Sequence, residues 1–305
     1  MKCELCPRRC GVDRKTQVGF CGLGEDMRIA RVAPHLWEEP PISGTRGTGA
    51  VFFSGCTLRC AYCQNGEISH HPQGRRFTPE QLADRVEDLR AIQNVMGKQT
   101  FLMCYKRWSE IWETLWCKKA PNPSLSLNEG KYVGYDAVKS YLVDYQEALV
   151  KKADEVMRAK YPELQDKTPE ETWGVGSNSV MNNDTCILEL ADDGQTAKGI
   201  WYSKGELTEV TDDGPAAFWR FGRYGVDFIK EDGQWRIWHE QMFTDAITPA
   251  GKPYAQTPFP KVSGVPQPPF TVDEVQFQAL AADVQTQAVP AMPEPYATFA
   301  DTFSY

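Results

Sequence analysis

Three acidic turns constrain this 305-residue chain more than any other feature. Asp192-Asp193-Gly194, Asp212-Asp213-Gly214 and Glu231-Asp232-Gly233 each place two acids before a glycine. Aspartate supports a reversal through its own side chain, and glycine accepts positive φ without a Cβ clash. Around the turns lie residues 172–180, 185–190, 197–210, 216–230 and 234–244, rich in β-branched and aromatic types. Such residues suit a half-buried pleated surface. Strands joined by turns this short must pair antiparallel, because a parallel pair needs a long crossover. The second half of the chain is therefore expected to be an antiparallel meander.

Helical patterns come before it. Thr78-Pro79-Glu80 reads as a helix start, with Thr as N-cap and Pro at the first helical position, and the pattern runs on towards Met103. Tyr105, Trp108, Trp112 and Trp116 recur at spacings of three or four, which is one helix face. Residues 136–160 form a long amphipathic pattern. Helices followed by strands indicate an α+β domain, with helices on one side of a curved sheet. From Pro249 onward the composition shifts, and ten of the 21 prolines fall there. This tail is expected to wrap the preceding domain as extended segments, and its PQPP stretch resembles a polyproline ligand.

Charge narrows the partners. A net charge of −8 argues against a nucleic-acid surface, which would cluster Lys and Arg. No run of eighteen apolar residues suggests a membrane span. MKCELCPRRC lacks the apolar segment of a secretory signal. A cytoplasmic protein is expected, and there thiols stay reduced. Seven of the ten cysteines lie in the first 63 residues, and that density reads as metal ligands. Cys104, Cys117 and Cys186 are scattered and read as small buried hydrophobes.

GCTLRCAYCQN, residues 55–65, sets Cys56, Cys60 and Cys63 at C-x3-C-x2-C. Three thiolates can hold a 4Fe–4S cube with one iron left open, whereas zinc would take a fourth ligand. Cys3, Cys6, Cys10 and Cys21 form a second group, sufficient for a closed tetrahedral site. Zinc and an auxiliary iron–sulfur cluster both suit that group. His35, His70 and His71 lie nearby and are expected in solvent.

The triplet, with the aromatic Tyr62 before its last cysteine, resembles the radical S-adenosylmethionine enzymes. CELCPRRCGVDR, GFCG and LRCAYCQNGEIS resemble their pyruvate formate-lyase-activating-enzyme-like branch, over residues 1–82. The resemblance implies a 4Fe–4S cluster on Cys56, Cys60 and Cys63, with S-adenosylmethionine on the open iron. It places Tyr62 beside the adenine and implies reductive cleavage to a 5′-deoxyadenosyl radical. It also implies a (β/α) barrel. Only a first strand at residues 50–54, the cysteine loop and one helix start are legible here, so this part is a Cys-rich barrel fragment.

LRAIQNVMGKQTFLMCYKRWSEIWETLW, QTAKGIWYS and DGQWRIWHEQMFTD resemble SnoaL-like domains of the nuclear transport factor 2-like superfamily, over residues 84–250. That implies a cone, a curved sheet closed by helices around an apolar pocket for a small-molecule ligand or substrate, with homodimerisation through the sheet. Catalytic members set a few polar groups in such a pocket, where burial tunes acid and base. Tyr105 and Glu110, five positions apart, and His239 are the matching candidates, with His239 or Glu110 as base and Tyr105 as donor. Strand alternation lets only one of Trp238 and His239 face inward. Asn178 and Asn182 are further polar candidates, and Trp173 and Trp201 are expected in the core.

The chain thus reads as a radical S-adenosylmethionine-type segment (1–82), a SnoaL-like cone (84–250) and a Pro-rich extension (251–305). Three functions follow. The first is an iron–sulfur module fused to a pocket-bearing cone. The second is a lyase or isomerase working in the cone, with the first segment only structural. The third is a non-catalytic binding or oligomerising cone that arose by gene fusion.

Overall fold

The computed structural model describes residues 2–35, 48–252, 262–279, 284 and 287–293. It divides into two compact units at Arg90/Ala91.

In the first unit, strand β1 (Met27–His35) is the centre of a three-stranded antiparallel sheet. It pairs with β2 (Thr48–Phe53) on one side and β3 (Arg75–Phe77) on the other. The strand expected at 50–54 is the end of β2. The cysteine loop leads into a short helix α1 (Gly66–His70). Among the described residues this unit contains no parallel strand–helix–strand crossover. Among the described residues its buried apolar side chains are Cys3, Ile29, Val32 and Leu89.

Helix α2 (Pro79–Cys104) runs through the division. Its start is a capping box: Gln81 N–H donates to Thr78 Oγ1 (3.2 Å), and Thr78 N–H donates to Gln81 Oε1 (2.9 Å). Helix α3 (Trp108–Leu115) buries Trp108, Ile111, Trp112 and Leu115. It begins after Tyr105, so Tyr105 does not share the tryptophan face. Strands β4 (Ser124–Ser126) and β5 (Lys131–Val133) follow; neither was legible in the sequence. The amphipathic pattern at 136–160 is one helical path in three parts: α4 (Tyr135–Lys139), a π-type segment Ser140–Tyr145, and α5 (Gln146–Lys160). The strand expected from residue 172 begins later. Thr168 caps a helical turn, α6 (Pro169–Thr172), through a reciprocal box with Glu171.

Strands β6 (Asn178–Leu190), β7 (Thr196–Thr211), β8 (Gly214–Glu231) and β9 (Gln234–Pro249) form the expected meander. The six-stranded order is β5-β4-β9-β8-β7-β6, with β4 parallel to β9 and the other neighbours antiparallel. The last acidic turn has positive φ at both central residues, 51° at Asp232 and 75° at Gly233. That geometry matches the twist of the flanking strands. Register shifts at Asp184/Ile187, Phe221/Gly222 and Asp227/Phe228 mark bulges, and bulges bend and curl a sheet. Trp116, Tyr132, Leu188, Phe228, Ile237 and Phe243 are fully buried and form the heart of the unit.

The described part of the Pro-rich tail lies along this second unit. Phe277 stacks on Phe243 at 5.1 Å, and the Phe277 N–H donates to Asn128 O. Within PQPP, Pro268 O accepts from Tyr132 Oη (2.9 Å). The stretch is thus engaged at this carbonyl by its own chain.

Candidate functional site

The second unit encloses a cavity of about 970 Å³, at the upper end of the range for small-molecule sites. Its wall is mainly apolar, with Met103, Trp108, Leu142, Leu207, Met242 and Phe270 among the lining residues. One charged pair sits in that wall. Lys106 Nζ lies 2.6 Å from Glu209 Oε1, with the side chains only 13% and 19% exposed. Ser177 Oγ and Ser179 Oγ donate to the same carboxylate at 3.4 and 3.5 Å.

The backbone explains how Lys106 reaches inward. It has φ of 58°, a left-handed conformation that costs a non-glycine residue free energy and recurs at functional sites. Its carbonyl accepts from Trp173 Nε1 (3.1 Å), which pins the link between α2 and α3. The π-type segment also borders the cavity through Tyr141 and Leu142. Such bulges concentrate at functional sites. Burial pushes the Tyr141 hydroxyl pKa up. Glu129, Arg220 and Asp245 complete the charged groups of the lining, with Asp245 paired to Arg223 at 2.8 Å.

The residues chosen from sequence lie elsewhere. Tyr105 is 61% exposed and packs on Phe101. Glu110 pairs with Arg107 on the surface of α3. Neither lines the cavity. Asn178 and Asn182 are exposed, while Ser177, Ser179 and Met181, of the opposite parity, point to the cavity wall. Tyr105, Glu110 and His239 are therefore not brought together. The missed pair, Lys106 and Glu209, carried a faint signal: one helical pattern ends and another begins around Lys106.

His239 faces a separate small polar cavity of about 160 Å³ with Ser124, Lys131 and Trp238. Its Nδ1 is 2.9 Å from Oδ2 of the fully buried Asp227. Trp238 is the extra residue of a bulge, since Asp227 pairs with His239 and Phe228 with Ile237. Strict alternation fails there, and both rings border one cavity, stacked at 4.2 Å.

In the first unit the loop after β2 carries Cys56, Cys60 and Cys63, all half-buried. Gly55 opens the loop at φ 83°, where a Cβ would stand 2.8 Å from Cys21 O. The Leu58 N–H donates to Cys56 Sγ (3.4 Å). Donation from the amides of Leu58 and Arg59 lowers the Cys56 thiol pKa. Cys63 Sγ donates to Ser69 Oγ at 3.6 Å. Three thiols, one of them already receiving amide donors, fit an iron–sulfur cluster in kind and number. They are not gathered about a common point: among the described residues no three His, Cys, Asp or Glu side chains stand close enough to hold a metal ion. Tyr62 is 90% exposed. His70, expected in solvent, is half-buried with its Nε2 enclosed. Burial pushes the Cys117 and Cys186 thiols up to about 12, so both are inert apolar groups as expected.

Residues 181–240 match the family model of the SnoaL-like domain, and residues 43–102 match that of the 4Fe-4S single cluster domain. The chain thus carries one stretch similar to the 4Fe-4S single cluster domain and another similar to the SnoaL-like domain. Two uncharacterized proteins of Methanocaldococcus jannaschii are similar in part. MJ0674 is 37% identical over 67 residues, 22% of this chain and 19% of that protein. MJ0808 is 28% identical over 101 residues, 28% of this chain and 30% of that protein. The chain therefore spans less than a third of the length of these curated relatives. Among solved structures, the hexachlorocyclohexane dehydrochlorinase LinA-type3 from Novosphingobium barchaimii is 14% identical with a TM-score of 0.38, over 58% of this chain and 99% of that one. Rv3472(D26N), a protein of unknown function from Mycobacterium tuberculosis, is 16% identical with a TM-score of 0.36, over 55% and 77%. Among the described residues no helix is long and apolar enough to cross a membrane.

Proposed function

We propose that the second unit binds a small, largely apolar molecule carrying a carbonyl or leaving oxygen, and moves a proton on it as a lyase or isomerase does. The observation that carries this reading is the Lys106–Glu209 pair, 2.6 Å apart in the wall of an otherwise mostly apolar cavity. In low dielectric, a carboxylate can take a proton from carbon while an adjacent ammonium stabilises charge developing on oxygen. Ser177 and Ser179 orient the carboxylate. The left-handed backbone at Lys106 is a local cost that a purely structural helix link does not require.

Deuterium wash-in tests the reading without knowledge of the natural substrate. The full chain, incubated with 2-indanone in deuterated buffer, should exchange the α-protons faster than buffer does. Glu209→Gln should lose about two orders of magnitude of that acceleration while retaining ligand-induced thermal stabilisation. Binding without any acceleration would make the cavity a binding site only.

For the first unit we propose that Cys56, Cys60 and Cys63 hold a 4Fe–4S cluster. The match of residues 43–102 to a single-cluster family supports this. The cluster would supply one electron to S-adenosylmethionine on its open iron, with Tyr62 beside the adenine. Anaerobic reconstitution with iron and sulfide, followed by an assay for 5′-deoxyadenosine, tests it. Cluster without cleavage would leave an electron-transfer or structural cluster.

A further inference from the structure

The first unit has a physical problem that its strands do not solve. Among its described residues only Cys3, Ile29, Val32 and Leu89 are buried apolar side chains, a small share of the core that normally holds a domain of this size together. Leu5, Val18, Leu58 and Tyr62 are instead 65–90% exposed. Small units with so little core are ordinarily stapled by a metal or by disulfides, and all seven cysteines here are free thiols.

Residues 2–24 fold back on themselves around thiols. Lys2 bridges to Asp13. The Cys3 N–H donates to Val12 O (2.9 Å), and the Gly11 N–H donates to Cys3 O (3.1 Å). That clasp sets Cys3 beside Cys10. Between them a turn closes from Arg9 N–H to Cys6 O (3.0 Å), with Arg9 at φ 43°, so Cys6 opens one reversal and Cys10 directly follows it. Cys21 is brought in by the next turn, where Gly22 N–H donates to Gly19 O (2.9 Å). A Cβ placed on Gly19 would lie 3.4 Å from Cys10 Sγ and 3.5 Å from Cys21 Sγ, so both sulfurs border the same small space. Arg14 Nη1 donates to Cys3 Sγ at 3.6 Å and Arg14 Nε to Gly24 O at 2.6 Å, tying the ends of the loop together. The N–H groups of Phe20 and Val12 are directed at Cys10. Amide donors aimed at sulfur are the outer support that thiolate metal sites use.

We propose that Cys3, Cys6, Cys10 and Cys21 form a structural zinc site, independent of the loop that carries Cys56, Cys60 and Cys63. Four thiolates from one short loop make a closed tetrahedral set with no open position, unlike the three of the later loop. The sulfurs are not at bonding distance of one point, and the ion would complete the convergence that the turns begin. Binding releases the thiol protons to solvent and leaves the metal as Zn²⁺, so no oxidant or reductant is needed.

The experiment keeps this site separate from the proposed cluster. The full chain bearing Cys56→Ser, Cys60→Ser and Cys63→Ser would be purified from zinc-supplemented cells and analysed for metals and acid-labile sulfide. One zinc per chain without sulfide is expected, with Zn–S distances of about 2.3 Å by X-ray absorption. Adding Cys10→Ser and Cys21→Ser should abolish that zinc and raise protease sensitivity within residues 1–90, while the thermal transition of the second unit stays in place. Substitution by Co²⁺ should give the visible bands of tetrahedral thiolate coordination in the first variant alone. Iron with sulfide in place of zinc, substoichiometric zinc in the first variant, or zinc retained after Cys10→Ser and Cys21→Ser would each overturn the proposal. A folded second unit in every variant excludes general misfolding as the cause.

Discussion

The two units of this chain reach order by different means. Residues 1–90 hold seven cysteines and four buried apolar side chains among the described residues. Residues 91–305 bury Trp116, Tyr132, Phe228 and Phe243 completely, in a six-stranded sheet packed by helices. Large aromatic groups removed from water stabilise a fold without any cofactor. Thiols in a short loop stabilise one only when a metal is bound, because the binding free energy is then folding free energy. If the proposed metal sites are filled, one polypeptide combines a segment held by metal with a domain held mainly by apolar burial.

The sharpest way to break that comparison is to remove ligands. Serine at Cys56, Cys60 and Cys63 should take the reconstituted iron of that loop from about four atoms per chain, the content of the proposed 4Fe–4S cluster, to none. The calorimetric transition of residues 91–305 should not move. A shifted transition would mean that the second unit depends on the first, and the contrast would fail.

The converse test removes core. Phe228 is fully buried, so Phe228→Ala should cost about 3–5 kcal/mol by urea denaturation of the second unit. Leu58, 78% exposed in the cysteine loop, should cost under about 0.5 kcal/mol on the same change. Equal effects would sink the idea that apolar burial is concentrated in the second unit.

The cavity gives a smaller effect. Glu209→Ala leaves Lys106 charged and unpaired in a wall where it is 13% exposed. Because both partners retain some solvent, the cost should be about 2–3 kcal/mol, below that of a fully buried pair. Lys106→Met combined with Glu209→Leu should recover most of it. If the double variant is no more stable than the single one, the pair is not an isolated charge couple.

How much of this was legible beforehand follows from the range of the interactions. The acidic turns and the alternation between them are local, and they were enough for β6 to β9 and for the α+β class. The cysteine spacings are local too, and the 43–102 match agrees with the cluster reading. The cavity pair was not legible. Lys106 and Glu209 are 103 positions apart, and only the tertiary fold brings them together. Parity misled as well: Asn178 and Asn182 were attractive as amides, but Ser177, Ser179 and Met181 face the cavity. His239 was chosen as a candidate base for the cone pocket, whereas the bulge at Trp238 sets it at the small cavity beside Asp227.

A pH-dependent effect concerns a carboxyl in the core of the second unit. Glu240 is 1% exposed, and Gln99 Nε2 donates to its Oε1 at 2.6 Å. Burial pushes the Glu240 pKa up to about 7, although Gln99 and the charge of Arg220 work in the other direction. The native state therefore holds this proton more tightly than the unfolded chain does, where a glutamate titrates near 4.5. The stabilisation tied to the protonated form is complete below the unfolded value. It is lost as pH rises from about 4.5 through about 7. Glu240→Gln keeps the shape and an acceptor for Gln99 but cannot ionise. The difference in unfolding free energy between variant and wild type should therefore grow in the variant's favour by roughly 2–3 kcal/mol between pH 5 and pH 8. Taking that difference cancels the titration of groups unchanged by the substitution. A flat difference across this range would mean that Glu240 stays ionised within the sheet. The second unit would then tolerate a buried charge that its aromatic core gives no reason to expect.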